Sequence, residues 1–410
     1  MLFPAPAFLR ATDVNSKLNV ACVGVGGMGN FSVSNVAKET IVALCDVDSK
    51  RGGANFEKFP QAQKFQDFRK MFDALDGKID AVTVSTPDHT HAAVGVAAML
   101  RGFHCYSEKP LAHDVGEVRK MIDTAKMKKV KTQMGTQIHA GENYRRVVEL
   151  VRAGAVGMIK EVHVWLGSDG ELRPIPPGTF DVPDSLHWDL WQGPAAPREY
   201  NPCFVPRTWR HYWAYGNGVF ADFACHYMDL PYWALGLRHP LTIEAAGSPL
   251  DPLSTSFDLI VRYEYPKTEH HEALTLTWYD RTPTAMLEKY GVPAWKSGVL
   301  FIGNDGVLLS NYDKHALFPE EKFKDFKRPD QTIPPSLGHH AEWLNAIKNN
   351  GTTLCNFDYS GTLSEAVLLG TVAYRVGKKI TWDPVAFKTD NAMATAMLTP
   401  PRRHGWDFEV

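Results

Sequence analysis

Short apolar runs alternate with longer segments of helical spacing over the first third of the chain. A short, bounded apolar run predicts a buried strand, and apolar residues recurring three and four positions apart predict a helix. The pattern predicts strands over 18–25, 41–45, 81–85, 103–106 and 130–134, and helices over 31–38, 91–101 and 115–125. Alternating strands and helices are typical of a parallel sheet that is covered by helices on both faces.

The pattern changes after about residue 140. One more helix is predicted over 144–151, and then apolar and polar residues alternate singly, as in half-buried strands. Such strands are predicted over 162–166, 257–263, 273–278, 299–302 and 307–309, and two further helices over 338–348 and 364–376. This pattern predicts a second domain with a large, mostly antiparallel sheet that the two helices close. A Pro-, Trp- and Gly-rich stretch over 173–215 interrupts it, and such loops often shape a binding mouth.

Composition narrows the class of protein. The length of 410 residues suits two domains rather than one core. A formal net charge of −2 without a basic stripe argues against a nucleic-acid partner, and no apolar run is long enough for a membrane span. The six cysteines form no CxxC pair, so we expect buried free thiols rather than a zinc site or a disulfide framework.

The N-terminus has a composition of its own. Residues 1–11 read MLFPAPAFLRA, which is apolar, rich in small residues and interrupted by prolines. This is either the tail of an export signal, which would place the protein in the periplasm, or an N-terminal arm of a cytoplasmic protein. Residues 1–16 are therefore separated from the two predicted domains.

A glycine-rich turn follows the first predicted strand. Residues 24–29 read GVGGMG, which places Gly24, Gly26 and Gly29 in a GxGxxG pattern around Gly27 and Met28. In this pattern the first glycine permits a tight turn, the second lets the backbone approach a pyrophosphate, and the third lets helix and strand pack closely. The strand before the pattern and the helix after it favour a dinucleotide site over a chance glycine turn.

Asp46 supplies the second part of a dinucleotide site. It lies at the end of the second predicted strand, about twenty residues after the glycines, where a carboxylate can accept both ribose hydroxyls. It would also repel a 2′-phosphate, so NAD is expected as the cofactor, with NADP less favoured. Lys50 and Arg51 weaken this preference, because a nearby cation could accept the phosphate.

Candidate chemical residues follow two more strands and one predicted helix. Residues 85–91 read STPDHTH, and Glu108, Lys109 and Pro110 end the next strand. Ligands of doubly wound sheets bind beside these carboxyl ends. In the second domain, Asp222 and His226 are four residues apart and would share one face of a helix. His226 is either a hydrogen-bonded core residue or a proton-transfer group, and no metal site is predicted.

These motifs, in this order, resemble the Gfo/Idh/MocA family, named for glucose–fructose oxidoreductase and inositol dehydrogenase. The likeness rests on GVGGMG, STPDHTH, EKP and the DxxxH segment, and it extends from about Lys17 to the C-terminal helices. It implies a Rossmann domain over 17–138. It also implies a substrate-binding α/β domain over 139–410, whose open sheet face often forms dimers or tetramers.

The resemblance also implies roles for individual residues. Lys109 would contact the reacting hydroxyl, His226 would exchange the proton, and Asp222 would support them. The Lys109–Pro110 bond would be cis. The residues expected at the cofactor are Gly24, Gly26, Gly27, Met28, Gly29, Asp46, Thr86, Pro87, His89, His91, Glu108, Lys109 and Gln137. The residues expected at the substrate are His139, Arg207, Trp209 and Tyr215.

The expected function is hydride transfer between a nicotinamide cofactor and a hydroxyl carbon of a sugar, polyol or glycoside. Alcohol oxidation removes a hydride and a proton. A nicotinamide can accept the hydride, an imidazole can accept the proton, and an ammonium group can stabilise the developing alkoxide. Two alternatives stay open. One is a glycosidase that uses tightly bound NAD in a transient oxidation–elimination cycle, and the other is a non-catalytic regulator that senses a dinucleotide.

Overall fold

A computed structural model describes residues 17–268 and 271–408 of the chain. The predicted arm or signal remnant over 1–16 lies outside the described residues. None of the helices in the described part combines the length and the apolar character that a membrane crossing requires.

The first part of the chain forms a six-stranded parallel sheet in the order β3-β2-β1-β4-β5-β6. Its strands are β1 (Asn19–Val23), β2 (Thr40–Cys45), β3 (Gln63–Phe65), β4 (Ala81–Val84), β5 (His104–Ser107) and β6 (Thr132–Met134). Its helices are α1 (Met28–Val36), α2 (Ser49–Lys58), α3 (Phe68–Ala74), α4 (Asp88–Leu100) and α5 (Val115–Lys128). The order reverses between β1 and β4, as in a Rossmann fold, and this confirms the predicted fold class.

The second part forms a nine-stranded sheet in the order β13-β12-β11-β7-β10-β9-β8-β14-β15. Its strands are β7 (Ile159–Trp165), β8 (Thr242–Ala246), β9 (Ile260–Tyr265), β10 (Leu274–Tyr279), β11 (Gly298–Gly303), β12 (Val307–Ser310), β13 (His315–Phe318), β14 (Ile380–Asp383) and β15 (Lys388–Thr389). The β7–β10 pair is parallel and the other pairs are antiparallel, so the sheet is mostly antiparallel, as predicted.

The remaining helices connect these strands. They are α6 (Glu142–Arg152), α7 (Trp188–Gln192), α8 (Gly218–Tyr227), α9 (Asp229–Leu235), α10 (Thr284–Lys289), α11 (Glu320–Phe323), α12 (His339–Lys348), α13 (Phe357–Val376) and α14 (Ala392–Met397). Three 3-10 helices occupy Gln137–Ala140, Pro202–Phe204 and Thr208–His211. Helix α13 is buried over most of its length between α5 of the first part and α8 and β8 of the second. It fixes the two sheets relative to each other.

Helix α12 does not close the second sheet, contrary to the expectation from sequence. Trp343 and Leu344 are buried with Leu18 and Tyr106 of the first sheet. The Trp343 indole also donates a hydrogen bond to the Lys131 carbonyl at 3.2 Å. The apolar side of α12 therefore covers the first sheet, although the helix lies far along the chain.

The outer face of the second sheet is covered in part by the chain itself. Trp165 on β7 and Leu300 on β11 are buried in one cluster with Leu287 of α10. The Trp165 indole donates a hydrogen bond to the Trp295 carbonyl at 2.8 Å. This half of the face, which the sequence suggested as open, is thus packed against α10 and the loop that follows it.

Candidate active site

A cleft of about 480 Å³ lies where the first sheet ends and α8 of the second part faces it. Its walls come from the glycine loop, the ends of β2, β4 and β5, and the loop around Arg207. Carboxyl ends of parallel strands, at a switch in strand order, are where doubly wound folds bind ligands. We therefore take this cleft as the candidate active site.

The glycine loop leaves no room for a side chain at two of its positions. Gly24 has a positive φ of 73°, and a Cβ there would lie 2.6 Å from the Ser85 carbonyl oxygen. A Cβ on Gly29 would lie 1.8 Å from the Gly24 carbonyl oxygen. Side chains at these positions would push helix α1 away from the sheet. The N–H groups of Gly29 and Asn30 already donate to the Gly26 and Gly27 carbonyls, at 3.0 and 3.1 Å. The N–H groups of Gly27 and Met28 are therefore the ones at the start of α1 that an anion could bind.

Asp46, which follows β2, holds this loop in place through hydrogen bonds. One carboxylate oxygen accepts hydrogen bonds from the N–H groups of Val25 and Gly26 at 3.0 and 3.1 Å. The other accepts from the Asp48 N–H at 3.0 Å. Burial raises the pKa of Asp46, while these backbone hydrogen bonds lower it. Asp46 also lines the cleft, so it combines a structural role with a position suited to a ribose.

Glu108 and Lys109 follow β5 on the opposite side of the cleft. The Gln137 amide donates hydrogen bonds to both oxygens of Glu108, at 3.1 and 3.3 Å. Burial raises the pKa of Glu108 to about 7. The Lys109–Pro110 peptide bond is cis, as the resemblance implies.

Lys109 meets Asp222 across the cleft. The Lys109 ammonium donates hydrogen bonds to the Asp222 carboxylate and to its backbone carbonyl. Arg210 adds a second cation, with its Nε 3.1 Å from the same carboxylate oxygen. Burial opposes ionisation of Asp222, but Lys109 and Arg210 outweigh it and hold the pKa of Asp222 well below its ordinary range. Asp222 is therefore a carboxylate at neutral pH.

His226 lies one helical turn after Asp222 on α8 and lines the same cleft. Its Nδ1 is buried without a hydrogen-bond partner among the described residues. Nε2 is then the ring nitrogen left to face a ligand. Burial first, and the Lys109 charge second, lower the pKa of His226 to about 3. The imidazole is neutral at physiological pH and can accept a proton.

The STPDHTH segment lines the cleft with six of its seven residues: Ser85, Thr86, Pro87, Asp88, Thr90 and His91. Helix α4 begins within the segment at Asp88, three residues before the predicted start. His89 is the exception: its Nε2 bonds the Trp191 carbonyl at 2.9 Å, and it is buried. The structure therefore does not bring His89 to the cleft, because the helical turn directs it to the loop of Trp191.

Two residues expected at the substrate are also elsewhere. His139 is fully buried, with its Nδ1 bonded to Asp229 at 2.9 Å and its ring stacked on Trp233. Tyr215 is fully buried against Trp191 and Phe204. Neither residue lines the cleft, whereas Arg207 and Trp209 do. Tyr215 packs against other aromatic side chains of the loop, and His139 is hydrogen-bonded to the buried Asp229 carboxylate, so neither side chain reaches the cleft.

The His139–Asp229 pair belongs to a buried trio with Cys355. Their possible metal-ligating atoms lie within 4.8 Å of one another. The Asp229 carboxylate already accepts hydrogen bonds from Tyr359 and His139, at 2.7 and 2.9 Å. Both oxygens of this carboxylate are therefore already bonded to protein groups.

Sequence reasoning missed several residues of the cleft. Asp88 and Arg210 stand beside Lys109 and Asp222, and Phe68 and Trp406 line the wall on the side of β2 and β3. Asp88 lies within the STPDHTH motif and Arg210 follows Trp209, so both positions carried a usable signal. Trp406 lies near the C-terminus, and no local pattern connects it to this site.

Family models match both parts of the chain. The model for an oxidoreductase family with an NAD-binding Rossmann fold matches residues 18–136, and the model for the C-terminal α/β domain of that family matches residues 160–265. The chain is 30% identical over 149 residues to inositol 2-dehydrogenase of Rubrobacter xylanophilus, which is 35% of this chain and 42% of the relative. It is 26% identical over 151 residues to glycosyl hydrolase family 109 protein 2 of Akkermansia muciniphila, 34% of this chain and 32% of the relative. The matches span less than half the length of these relatives.

Solved structures share the fold over most of the chain. The WlbA dehydrogenase of Bordetella pertussis, in complex with NADH and UDP-GlcNAcA, superposes with a TM-score of 0.63 at 17% identity, covering 90% of this chain and 99% of that one. A levoglucosan dehydrogenase in complex with NADH and levoglucosan gives a TM-score of 0.61 at 16% identity, covering 89% and 99%. At these identities the likeness establishes the fold alone.

Proposed function

This chain belongs to the Gfo/Idh/MocA family of oxidoreductases with an NAD-binding Rossmann fold, and we propose that it transfers a hydride between NAD and a hydroxyl carbon of a sugar or polyol. The observation that carries the proposal is the meeting of Lys109, Asp222 and His226 in the cleft that the glycine loop lines. A neutral base, an ammonium group and a dinucleotide cradle in one cleft suit alcohol oxidation.

The residues of the cleft fit a dinucleotide. The N–H groups of Gly27 and Met28 at the start of α1 would bind a pyrophosphate, and Asp46 lines the cleft at the end of β2, where this fold binds a ribose hydroxyl. Glu108 and Lys109 lie towards the nicotinamide end, beyond the switch in strand order. The Asp46 carboxylate disfavours a 2′-phosphate, so we propose NAD rather than NADP. Tighter binding of NADP than of NAD by the wild-type protein would contradict this preference.

Each polar group of the cleft has a separable task. Lys109 holds the reacting oxygen by charge and a hydrogen bond, and it stabilises the oxygen as the proton leaves. His226 accepts that proton at Nε2, and the carboxylate of Asp222 stabilises the imidazolium that forms. Arg210 helps to keep Asp222 ionised. Bound nicotinamide supplies the hydride acceptor.

A substrate screen tests this function. The protein is mixed with NAD and a panel of sugars, polyols and glycosides, while absorbance at the NADH band and product mass are followed together. The proposal expects at least one compound to lose two hydrogens as NADH appears. Binding of NAD with no NADH formation and no product across the panel would contradict it.

A glycosidase with catalytic NAD is the second candidate. It is favoured by the similarity to a glycosyl hydrolase family 109 protein and by the enclosure of the cleft by loop residues such as Leu186 and Trp191. In that case the same screen yields a cleaved glycoside without net NADH. The two functions share the first hydride step, but the glycosidase then eliminates the aglycone, adds water and takes the hydride back.

We further propose that the protein forms a homodimer or homotetramer through the second sheet. Ile260 of β9 is 44% exposed, and it lies on the half of the outer face that α10 leaves open. Trp165 lies on the half of the face that the chain itself covers, so it contributes no surface to this assembly. Light scattering that shows only monomer at micromolar concentration would rule the assembly out.

A further inference from the structure

The last residues of the chain return to the first sheet after α14. The Leu398 carbonyl accepts a hydrogen bond from the Gly116 N–H at 2.7 Å, at the start of α5. Arg402 then pairs with Glu117 at 3.3 Å, and the Arg403 N–H donates to the Pro194 carbonyl at 3.0 Å. The C-terminal segment (residues 398–408) thus crosses the first part of the chain and ends beside the cleft.

Trp406 is the residue by which this segment enters the cleft wall. It is only 7% exposed and lines the cleft together with Phe68 and Gln66. The Arg69 guanidinium lies 4.4 Å from its ring centroid and is itself bound to both oxygens of Asp67, at 2.9 Å each. An indole held in this way is a fixed apolar surface rather than a freely moving side chain.

A second arginine fixes the same indole from the C-terminal segment. The Arg403 guanidinium lies 5.5 Å from the Trp406 ring centroid and pairs with Asp189 at 2.6 Å. Asp189 belongs to the strap (residues 185–193), which contains α7. Trp406 therefore connects three segments that are distant in sequence: the loop after β3, the strap and the C-terminal segment.

The strap is itself fastened to the edge of the dinucleotide site. The Ser49 N–H donates to the Ser185 carbonyl at 2.9 Å, and the His187 N–H donates to the Val47 carbonyl at 2.8 Å. Leu186, between these bonds, lines the cleft. The strap therefore lies across the loop that follows β2, directly after Asp46.

The strand order shows which half of a dinucleotide would lie under these segments. The acidic residue at the end of β2 marks the adenosine ribose in this fold. Phe68 follows β3, one strand further out, and its ring centroid lies 6.1 Å from that of Trp406. Lys109 and His226 are on the other side of the switch in strand order. Trp406 thus belongs to the adenosine end of the cleft.

We propose that Trp406 forms the outer wall of the adenosine subsite and that, together with the strap, it retards release of the dinucleotide. This inference rests on the proposed binding of NAD. A flat apolar indole beside Phe68 offers the adenine ring the packing that an aromatic base requires. The two arginines hold the indole in place before the ligand arrives, so little side-chain entropy is lost on binding.

The test compares the two halves of the cofactor. Binding and release of ADP-ribose and of nicotinamide mononucleotide are measured by calorimetry and stopped flow for the wild type, Trp406→Ala and Trp406→Phe. Phe408→Ala is the matched control, because Phe408 lies in the same segment against Arg402 and does not line the cleft. Thermal melting reports whether each variant folds.

The proposal expects Trp406→Ala to weaken ADP-ribose binding and to speed its release by about tenfold or more, as loss of a base-packing aromatic does. In the same Trp406→Ala variant, nicotinamide mononucleotide binding should change less than twofold. Trp406→Phe should weaken ADP-ribose binding much less than Trp406→Ala does, and Phe408→Ala should bind ADP-ribose as the wild type does. Unchanged ADP-ribose binding in a folded Trp406→Ala variant overturns the inference while leaving NAD binding intact.

Hydrogen exchange on the wild-type protein covers the case in which the alanine variant does not fold. Bound ADP-ribose should slow exchange of the backbone N–H groups over 403–406, and nicotinamide mononucleotide should not. Equal exchange with and without ADP-ribose overturns the inference. Failure of the wild type to bind either NAD or ADP-ribose removes the proposed cofactor as well, so the two failures are distinct.

Discussion

At the scale of single residues, the site depends on a carboxylate that two cations keep ionised. Asp222 is paired with Lys109 and with Arg210, and its charge in turn offsets the positive charge near His226. Removing Asp222 would leave two cations without their common partner, whereas removing either cation leaves Asp222 paired with the other, so loss of Asp222 is the costlier change. Variants in this cluster therefore need stability and activity measured on the same sample.

His226→Ala and Lys109→Ala should each lower turnover by about a hundredfold or more, because the first removes the proton acceptor and the second removes the group that stabilises the reacting oxygen. Turnover and melting temperature are measured together, with Lys120→Ala, an exposed lysine on α5, as the control. NAD binding should survive the histidine change. A lower melting temperature with unchanged turnover per folded molecule would identify His226 as a core histidine instead.

Asp88 should make stability depend on pH. Burial raises its pKa from the ordinary value of 3.8 to about 8. Between these values the folded chain holds a proton that the unfolded chain has lost, so this contribution to stability declines as pH rises. Asp88→Asn removes the penalty of burying a charge. It should melt a few degrees above the wild type at pH 8.5 and at nearly the same temperature at pH 4.

The pH series distinguishes this account from a simple packing effect. A melting-temperature difference between Asp88→Asn and wild type that is constant from pH 4 to pH 8.5 would show that Asp88 is not protonated in the folded protein. A difference of the opposite sign at high pH would show that pairing with Arg210 and Lys109 outweighs burial.

Sequence reasoning identified Lys109, Asp222 and His226 because each lies in a motif with defined spacing. The structure does not bring His89 and Tyr215 to the cleft, because the direction of a side chain within a motif depends on helix phase and on packing partners that are remote in sequence. His89 follows Asp88 on α4 and points to Trp191, whereas Asp88 and His91 reach the cleft. A motif thus indicated where the site lies, but not which of its members face the ligand.

At the scale of elements, the β1–α1 unit depends on close approach of backbone to backbone. Gly29→Ala should weaken NAD binding and lower the melting temperature, since its Cβ would lie 1.8 Å from the Gly24 carbonyl oxygen. Overpacking of this kind typically costs about 1–3 kcal/mol. Calorimetry with NAD and thermal melting measure the two effects.

Gly53→Ala is the matched control for this substitution. Gly53 lies within α2, where a Cβ would meet nothing within 4 Å. Alanine should stabilise that helix by up to about 1 kcal/mol and leave NAD binding unchanged. If the two variants behaved alike, the close packing of Gly29 would not be what shapes the site.

Elements that lie in apolar runs were predictable from sequence, and elements without such a run were not. The pattern predicted β1, β2, β4, β5 and β6 to within a few residues. It did not predict α2 or β3, which carry few apolar residues, or the seven-residue α3. The strands β11 and β12 pair across residues 304–306, whose Asn-Asp-Gly sequence is typical of hairpin turns.

At the scale of the whole molecule, the cleft is assembled from segments that lie far apart in sequence. Helix α12 covers the first sheet, the segment around Trp295 covers the second, and the C-terminal segment reaches the dinucleotide site. Each of these contacts is long-range, and no local pattern of hydrophobic residues records it. The periodicity of apolar residues predicted the fold class. It did not predict which segments pack over each sheet.

Transfer of deuterium from substrate to cofactor tests the central claim most directly. The protein is incubated with NAD and a panel of sugars and polyols that carry deuterium on the hydroxyl-bearing carbons, and the dinucleotide is then analysed by mass spectrometry. The account predicts a dinucleotide that is heavier by one deuterium with at least one compound, and label that appears about a hundredfold or more slowly with the His226→Ala variant. The reaction is quenched during turnover, because a glycosidase cycle would return the deuteride to the sugar when it closes. An unlabelled dinucleotide with every compound that the protein binds would contradict hydride transfer in this cleft.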